Sequence, residues 1–136
     1  MSNTLQNPLS FIGRLLLAVL FLPAGIGKLM GFAGTVGYIT SAGMPVPEVS
    51  AVFALVIEIG GGLALIFGLG TRWVALVLAL FTLVASLYFH NYWALPLDQQ
   101  MMMKLMFFKN IAVIGGLLTL AAWGPGAWSL DAKRAA

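Results

Sequence analysis

The sequence predicts an all-α, polytopic membrane protein: one membrane domain built as a bundle of four transmembrane helices, with a short interfacial helix between the first and second. Two observations carry that prediction. Of 136 residues, 61% are hydrophobic and only 8% are charged, whereas a soluble domain is about one-quarter charged. Four apolar segments approach the roughly 20 residues that a helix needs to cross the hydrocarbon core, and each is too uniformly apolar for an alternating barrel strand. A soluble chain of this length could not hide so much apolar surface. An ordinary cytosolic enzyme and a disordered chain are therefore excluded. A net charge of +3 without a basic stripe argues against nucleic acid as a partner. The chain has no cysteine, which removes disulfides, thiolate catalysis and Cys-ligated zinc or iron–sulfur clusters. One His and four acidic residues give no basis for a metal site.

The first span is read over residues 9–30. Its apolar run between Arg14 and Lys28 has the length of a signal-peptide core, but Lys28 follows directly and no clear small-residue cleavage site does, so an uncleaved helix is expected. Pro23, with Gly25 and Gly27 nearby, predicts a kink in its second half. Residues 31–48 are mostly small and apolar, and Phe32, Val36 and Ile39 at helical spacing suit a short helix on the membrane surface.

The second span is read over 49–69, with Pro45 and Pro47 placed where a missing N–H costs little and Glu48 suited to the first-turn dipole. Gly60, Ala64 and Gly68 form a small-residue stripe that predicts close helix packing. Gly68 and Gly70 close this span, and Thr71-Arg72 turns sharply into a third span over 73–90. Residues 91–104 are more polar and read as a loop. The fourth span covers 105–123 and ends at Gly124-Pro125-Gly126. A short cytoplasmic tail, 124–136, follows. Trp73, Tyr92, Trp93, Trp123 and Trp128 lie at span ends, as interfacial aromatics do. Four spans put both termini on one side. That side carries Arg14, Arg72, Lys133 and Arg134, against Lys28, Lys104 and Lys109 opposite, which favours cytoplasmic termini.

Ionisable groups at membrane depth are costly and usually face the bundle interior. Glu58 stands near mid-membrane, where it must be paired, hydrogen-bonded or protonated. Counting helical rise from the side of the termini places Arg14 at about 8 Å, Glu58 at about 16 Å, Lys109 at about 22 Å, and Lys28 and His90 at about 27 Å. By this count Arg14 and Lys109 are the ion-pair candidates for Glu58. Lys28, His90, Lys109 and Asn110 form an outer layer, with Glu58 as the floor of a polar pocket. The alternatives are structural. In these, Glu58 serves only to fix register, and Arg14, Lys28, Lys104 and His90 only to reach the headgroups or interface. Met101 to Met103 read as lipid or core contacts, since three successive methionines cannot all face one ion. A pocket lined by the outer-layer residues would favour a ligand site. A closed Glu58 pair with Arg14 or Lys109 in a filled core would favour the structural reading.

The sequence resembles the DoxX family of small bacterial membrane proteins from about Gly13 to Asp131. The resemblance rests on Arg14 followed by AGIGKL (Ala24 to Leu29), on GMPVP (Gly43 to Pro47), and on EIGGGLALIFGLGTRWVA (Glu58 to Ala75). FFKNIAVIGGLLTL (Phe107 to Leu120) and GPGAWSLD (Gly124 to Asp131) complete it. It implies four helices in the bacterial cytoplasmic (inner) membrane, with cytoplasmic termini. The family name derives from a subunit of a thiosulfate:quinone oxidoreductase, so the resemblance also implies a redox-associated role. The expected function is a subunit or accessory of a quinone-linked oxidoreductase system. A quinone is the candidate cofactor, bound by Lys28, Glu58, His90, Lys109 and Asn110, with Glu58 the candidate proton relay. Beyond the lipid bilayer, a redox partner subunit and a homo-oligomer are the partners considered. A non-catalytic membrane anchor or assembly partner is the first alternative, and a small-solute or proton pathway the second.

Overall fold

A computed structural model describes residues 3–136, and no strand occurs among them. Helix α1 (Asn3–Met30) is followed by α2 (Phe32–Ser41), α3 (Pro47–Phe67), α4 (Thr71–Phe89), α5 (Gln100–Trp123) and a terminal turn, α6 (Leu130–Arg134). Four of these helices are long and apolar enough to cross a membrane: α1, α3, α4 and α5. Helix α2 is the short connector expected between the first two spans.

Three boundaries differ from the sequence reading for identifiable reasons. Helix α1 starts about two turns earlier than residue 9, and this extension is tied to the far end of the chain. Asn7 Oδ1 accepts from the Ala127 amide (3.2 Å), and Ser10 Oγ donates to the Pro125 carbonyl (2.8 Å). Helix α5 starts at Gln100, so Met101 to Met103 are helical rather than part of a loop. The Gln100 side-chain amide donates to the Leu95 carbonyl (2.9 Å) and anchors that start. Helix α3 stops at Phe67 because Gly68 adopts a left-handed conformation (φ 66°), one that glycine takes without a Cβ penalty. The Leu69 amide then closes the end on the Ala64 carbonyl (2.9 Å).

Helices α1 and α3 pack antiparallel over most of their length, and α4 packs on α5 in the same way. Glycine sets the α1–α3 approach, at Gly25 and Gly62 but not at Gly60 of the predicted stripe. A Cβ added at Gly60 would meet nothing, whereas one at Gly62 would lie 2.9 Å from the Leu22 Cβ. A Cβ at Gly25 would lie 2.9 Å from the Glu58 Cβ and 2.7 Å from Ile59 Cγ1. Gly61 meets Leu78 of α4 instead. Membrane helices associate by such backbone approach. Helix α1 stays helical through Pro23.

The core occupies one half of the bundle. Ala18, Leu65, Ala75, Leu78 and Leu117 are buried together there, in the half that also holds the chain ends. Large apolar side chains such as Leu16, Val19, Leu80 and Leu105 are exposed on the outside, as lipid-facing residues should be.

The tail, residues 124–136, is tied to the bundle as a strap. The Asp131 amide donates to the Gly68 carbonyl (2.9 Å), and its carboxylate accepts from the Gly70 (2.7 Å) and Thr71 (2.8 Å) amides. The carboxylate thus satisfies orphan donors at the start of α4. Ser129 caps α6 through Ala132 N–H (3.2 Å). Arg72 donates to the Ala121 and Ala122 carbonyls at the end of α5 (3.1 and 2.6 Å).

Candidate functional site

The other half of the bundle is hollow. A cavity of about 810 Å³ lies between the second half of α1, the first half of α3, the second half of α4 and the start of α5, with α2 along its side. Lys28, Glu58, His90, Lys109 and Asn110 all line it, together with Thr82. Its remaining walls are mostly apolar, including Phe53, Ile57 and Phe81. Size and lining both fall within the usual range for small-molecule sites.

Glu58 does not pair with Arg14 or Lys109. Its partner is Lys28, whose Nζ lies 3.0 Å from Oε1 and 2.8 Å from Oε2. Only the Oε1 contact has hydrogen-bond geometry, so Oε2 keeps an unfilled acceptor position. This is the one ion pair among the described residues. Counting rise placed Lys28 about 11 Å further out than Glu58, and three features close that gap. Gly25 is level with Glu58. Lys28 is one turn beyond it, and helical side chains lean back toward their own N-terminus. A lysine stem then spans the remaining distance.

Arg14 belongs to the opposite end of the bundle. It is 1% exposed, yet its partners are carbonyls and not a carboxylate. Nη1 donates to Leu65 (2.8 Å) and Ile66 (3.1 Å), the last turn of α3, and Nη2 donates to Trp128. The guanidinium fork thus fastens α1, the end of α3 and the strap together, a task suited to its fixed planar donors.

On the far wall, Asn110 donates from Nδ2 to Ser86 Oγ (2.9 Å), joining α5 to α4. Ser86 and Thr82 donate in turn to carbonyls one turn back (2.6 and 2.7 Å). His90 ends α4, and its Nδ1 is buried without a hydrogen-bond partner. Lys109 is exposed, and its one hydrogen-bond contact is the Met106 sulfur (3.8 Å).

Helix α2 contributes residues that the sequence reading missed. Thr35, Tyr38 and Ile39 line the cavity, and Tyr38 stacks on Phe89 of α4 (centroids 5.1 Å apart, planes 20° apart). The available signal was Tyr38, next to Ile39 of the Phe32-Val36-Ile39 pattern in a mostly small and apolar connector. No group of three metal-ligating side chains occurs among the described residues.

The DoxX family model matches residues 9–91, more than half of the chain. The chain belongs to the DoxX family. Its DoxX-family match takes in α1 to α4 and the glycine contacts that seat Glu58 against Lys28. Two Escherichia coli relatives cover nearly all of both chains. Inner membrane protein YqjF is 42% identical over 120 residues (88% of this chain, 87% of that one). Inner membrane protein YphA is 36% identical over 125 residues (92% and 89%). A more distant likeness is to the yeast ER-derived vesicles protein ERV29, 29% identical over 82 residues, which is 60% of this chain and 26% of that longer protein. No solved structure matches.

Proposed function

We propose that this DoxX-family protein is a redox-associated protein of the bacterial cytoplasmic membrane. In this reading it holds a quinone, or a lipophilic molecule of similar build, in the hollow half of its bundle. The observation that carries the reading is the cavity: about 810 Å³, mostly apolar, with its few polar side chains contributed by α1 to α5. The fit to a quinone is chemical. A quinone ring and tail suit apolar walls, and its carbonyl oxygens need donors. Lys109 offers ammonium protons, and the His90 ring lines the same cavity. A bound quinone would supply two-electron chemistry that no side chain here provides. The Lys28–Glu58 pair would hold a proton beside it, shared between ammonium and carboxylate. Electrons would come from a redox partner subunit. The inner-membrane naming of the two bacterial relatives supports the location.

The test is purification in a mild detergent, followed by quinone analysis of the lipid extract and titration with a water-soluble ubiquinone analogue. Copurifying quinone and saturable binding are expected, with binding weakened by His90→Leu. A quinone-free extract together with no saturable binding would overturn the reading.

A second reading, a non-catalytic anchor or assembly partner, is favoured by the closed Lys28–Glu58 pair, which fits a register-fixing role. It predicts that Glu58→Gln alters stability or partner recovery from intact membranes and leaves quinone binding unchanged.

A further inference from the structure

We propose that the preferred occupant of the cavity carries an anionic head, a carboxylate or a phosphate monoester, on a single apolar chain, with Lys109 as its counter-ion. This rests on the reading that the cavity holds a lipophilic molecule, but not on that molecule being a quinone.

The charges that line the cavity do not balance. They are Lys28, Glu58 and Lys109, beside His90. Lys28 and Glu58 neutralise each other at 2.8 Å. Lys109 is left over: no carboxylate lies within ion-pair distance of it among the described residues, and its one hydrogen-bond contact is a thioether. It lies nine residues into α5, about 13 Å along the axis, where an uncompensated ammonium is costly. An anion on the ligand supplies the missing charge.

Hydrogen bonding points the same way. The Asn110 amide nitrogen is committed to Ser86, and the Thr82 hydroxyl to the Leu78 carbonyl. The Lys109 ammonium is left without a carboxylate partner, and the His90 ring and the Tyr38 hydroxyl line the cavity with it. An ammonium beside an imidazole suits the oxygens of an acid better than a neutral ester, because charge-assisted bonds are the stronger kind. The apolar walls, Phe53, Ile57 and Phe81 among them, take the chain.

The experiment uses the full chain in nanodiscs of zwitterionic lipid, with empty nanodiscs as the control. The probes are cis-parinaric acid, its methyl ester and an alkyl phosphate of similar length, each tested against the wild type, Lys109→Gln and Lys109→Arg. The acid or the phosphate should bind about tenfold or more tightly than the ester. That preference should fall to near parity in Lys109→Gln and persist in Lys109→Arg. Preference for the phosphate over the carboxylate would identify a lipid phosphate as the source of the anion, and the reverse a free fatty acid. Equal binding of acid and ester to the wild type, or an undiminished preference in Lys109→Gln, overturns the proposal while leaving a lipophilic ligand in place. Failure of all three probes and of the quinone analogue removes the ligand reading itself.

Discussion

Lys28 and Glu58 meet across α1 and α3 because Gly25, one turn before Lys28, has no side chain to hold the helices apart. The ammonium lies 2.8 Å from the carboxylate, and a Cβ on Gly25 would lie 2.9 Å from the Glu58 Cβ. A backbone contact thus decides which cation neutralises the mid-membrane acid.

Gly25→Ala should therefore cost about 1–3 kcal/mol, the usual penalty for overpacking, and should weaken the pair. Gly27→Ala, where an added Cβ meets nothing, should be close to neutral. Thermal unfolding of both variants in the same detergent checks this. Equal midpoints would show that the close approach is not what sets the register.

Removing one member of the pair leaves a buried charge alone. Lys28→Met should destabilise by about 3–5 kcal/mol, and Lys28→Met with Glu58→Met should recover most of that loss. Denaturation in mixed micelles reads the difference. A double variant no better than the single one would mean that Glu58 carries no charge in the folded protein.

Arg14→Met removes the donors of the Leu65, Ile66 and Trp128 carbonyls. An expected loss of about 1–3 kcal/mol follows from leaving buried acceptors unpaired. Hydrogen exchange should accelerate at the Asp131 amide, which is bonded to Gly68, and stay unchanged near Asn110. Uniform acceleration at both sites would contradict a role confined to the strap.

The strap also gives a pH dependence. Partial burial pushes the Asp131 carboxyl up, but the Thr71 and Gly70 amides and nearby Arg134 outweigh it and hold the group below the usual carboxylate range. A depressed folded value means that the stabilisation is fully present above the unfolded value, about 3.9. It is lost as pH falls through the folded one. Stability should decline in that acid window for the wild type and change less for Asp131→Asn. Parallel pH profiles for the two proteins would refute the capping role.

The sequence alone was enough to determine that this chain is a four-helix membrane protein. Composition and span length report directly on the solvent a helix faces, and Gly68, Gly70, Pro47 and Gly124 mark helix ends through purely local backbone chemistry. It also singled out five of the polar residues that the fold gathers around one cavity, because polar and ionisable groups are so scarce in these spans. Tertiary structure decided the partnerships. Lys28 rather than Arg14 reaches Glu58, Arg14 binds carbonyls at the other end, Tyr38 comes to the cavity wall, and Asp131 caps α4 from the C-terminal tail. Each depends on helix register and on contacts between residues distant in sequence. Counting rise along isolated helices carries no information about which glycine lets two backbones touch, and here Gly25 and Gly62 made that choice.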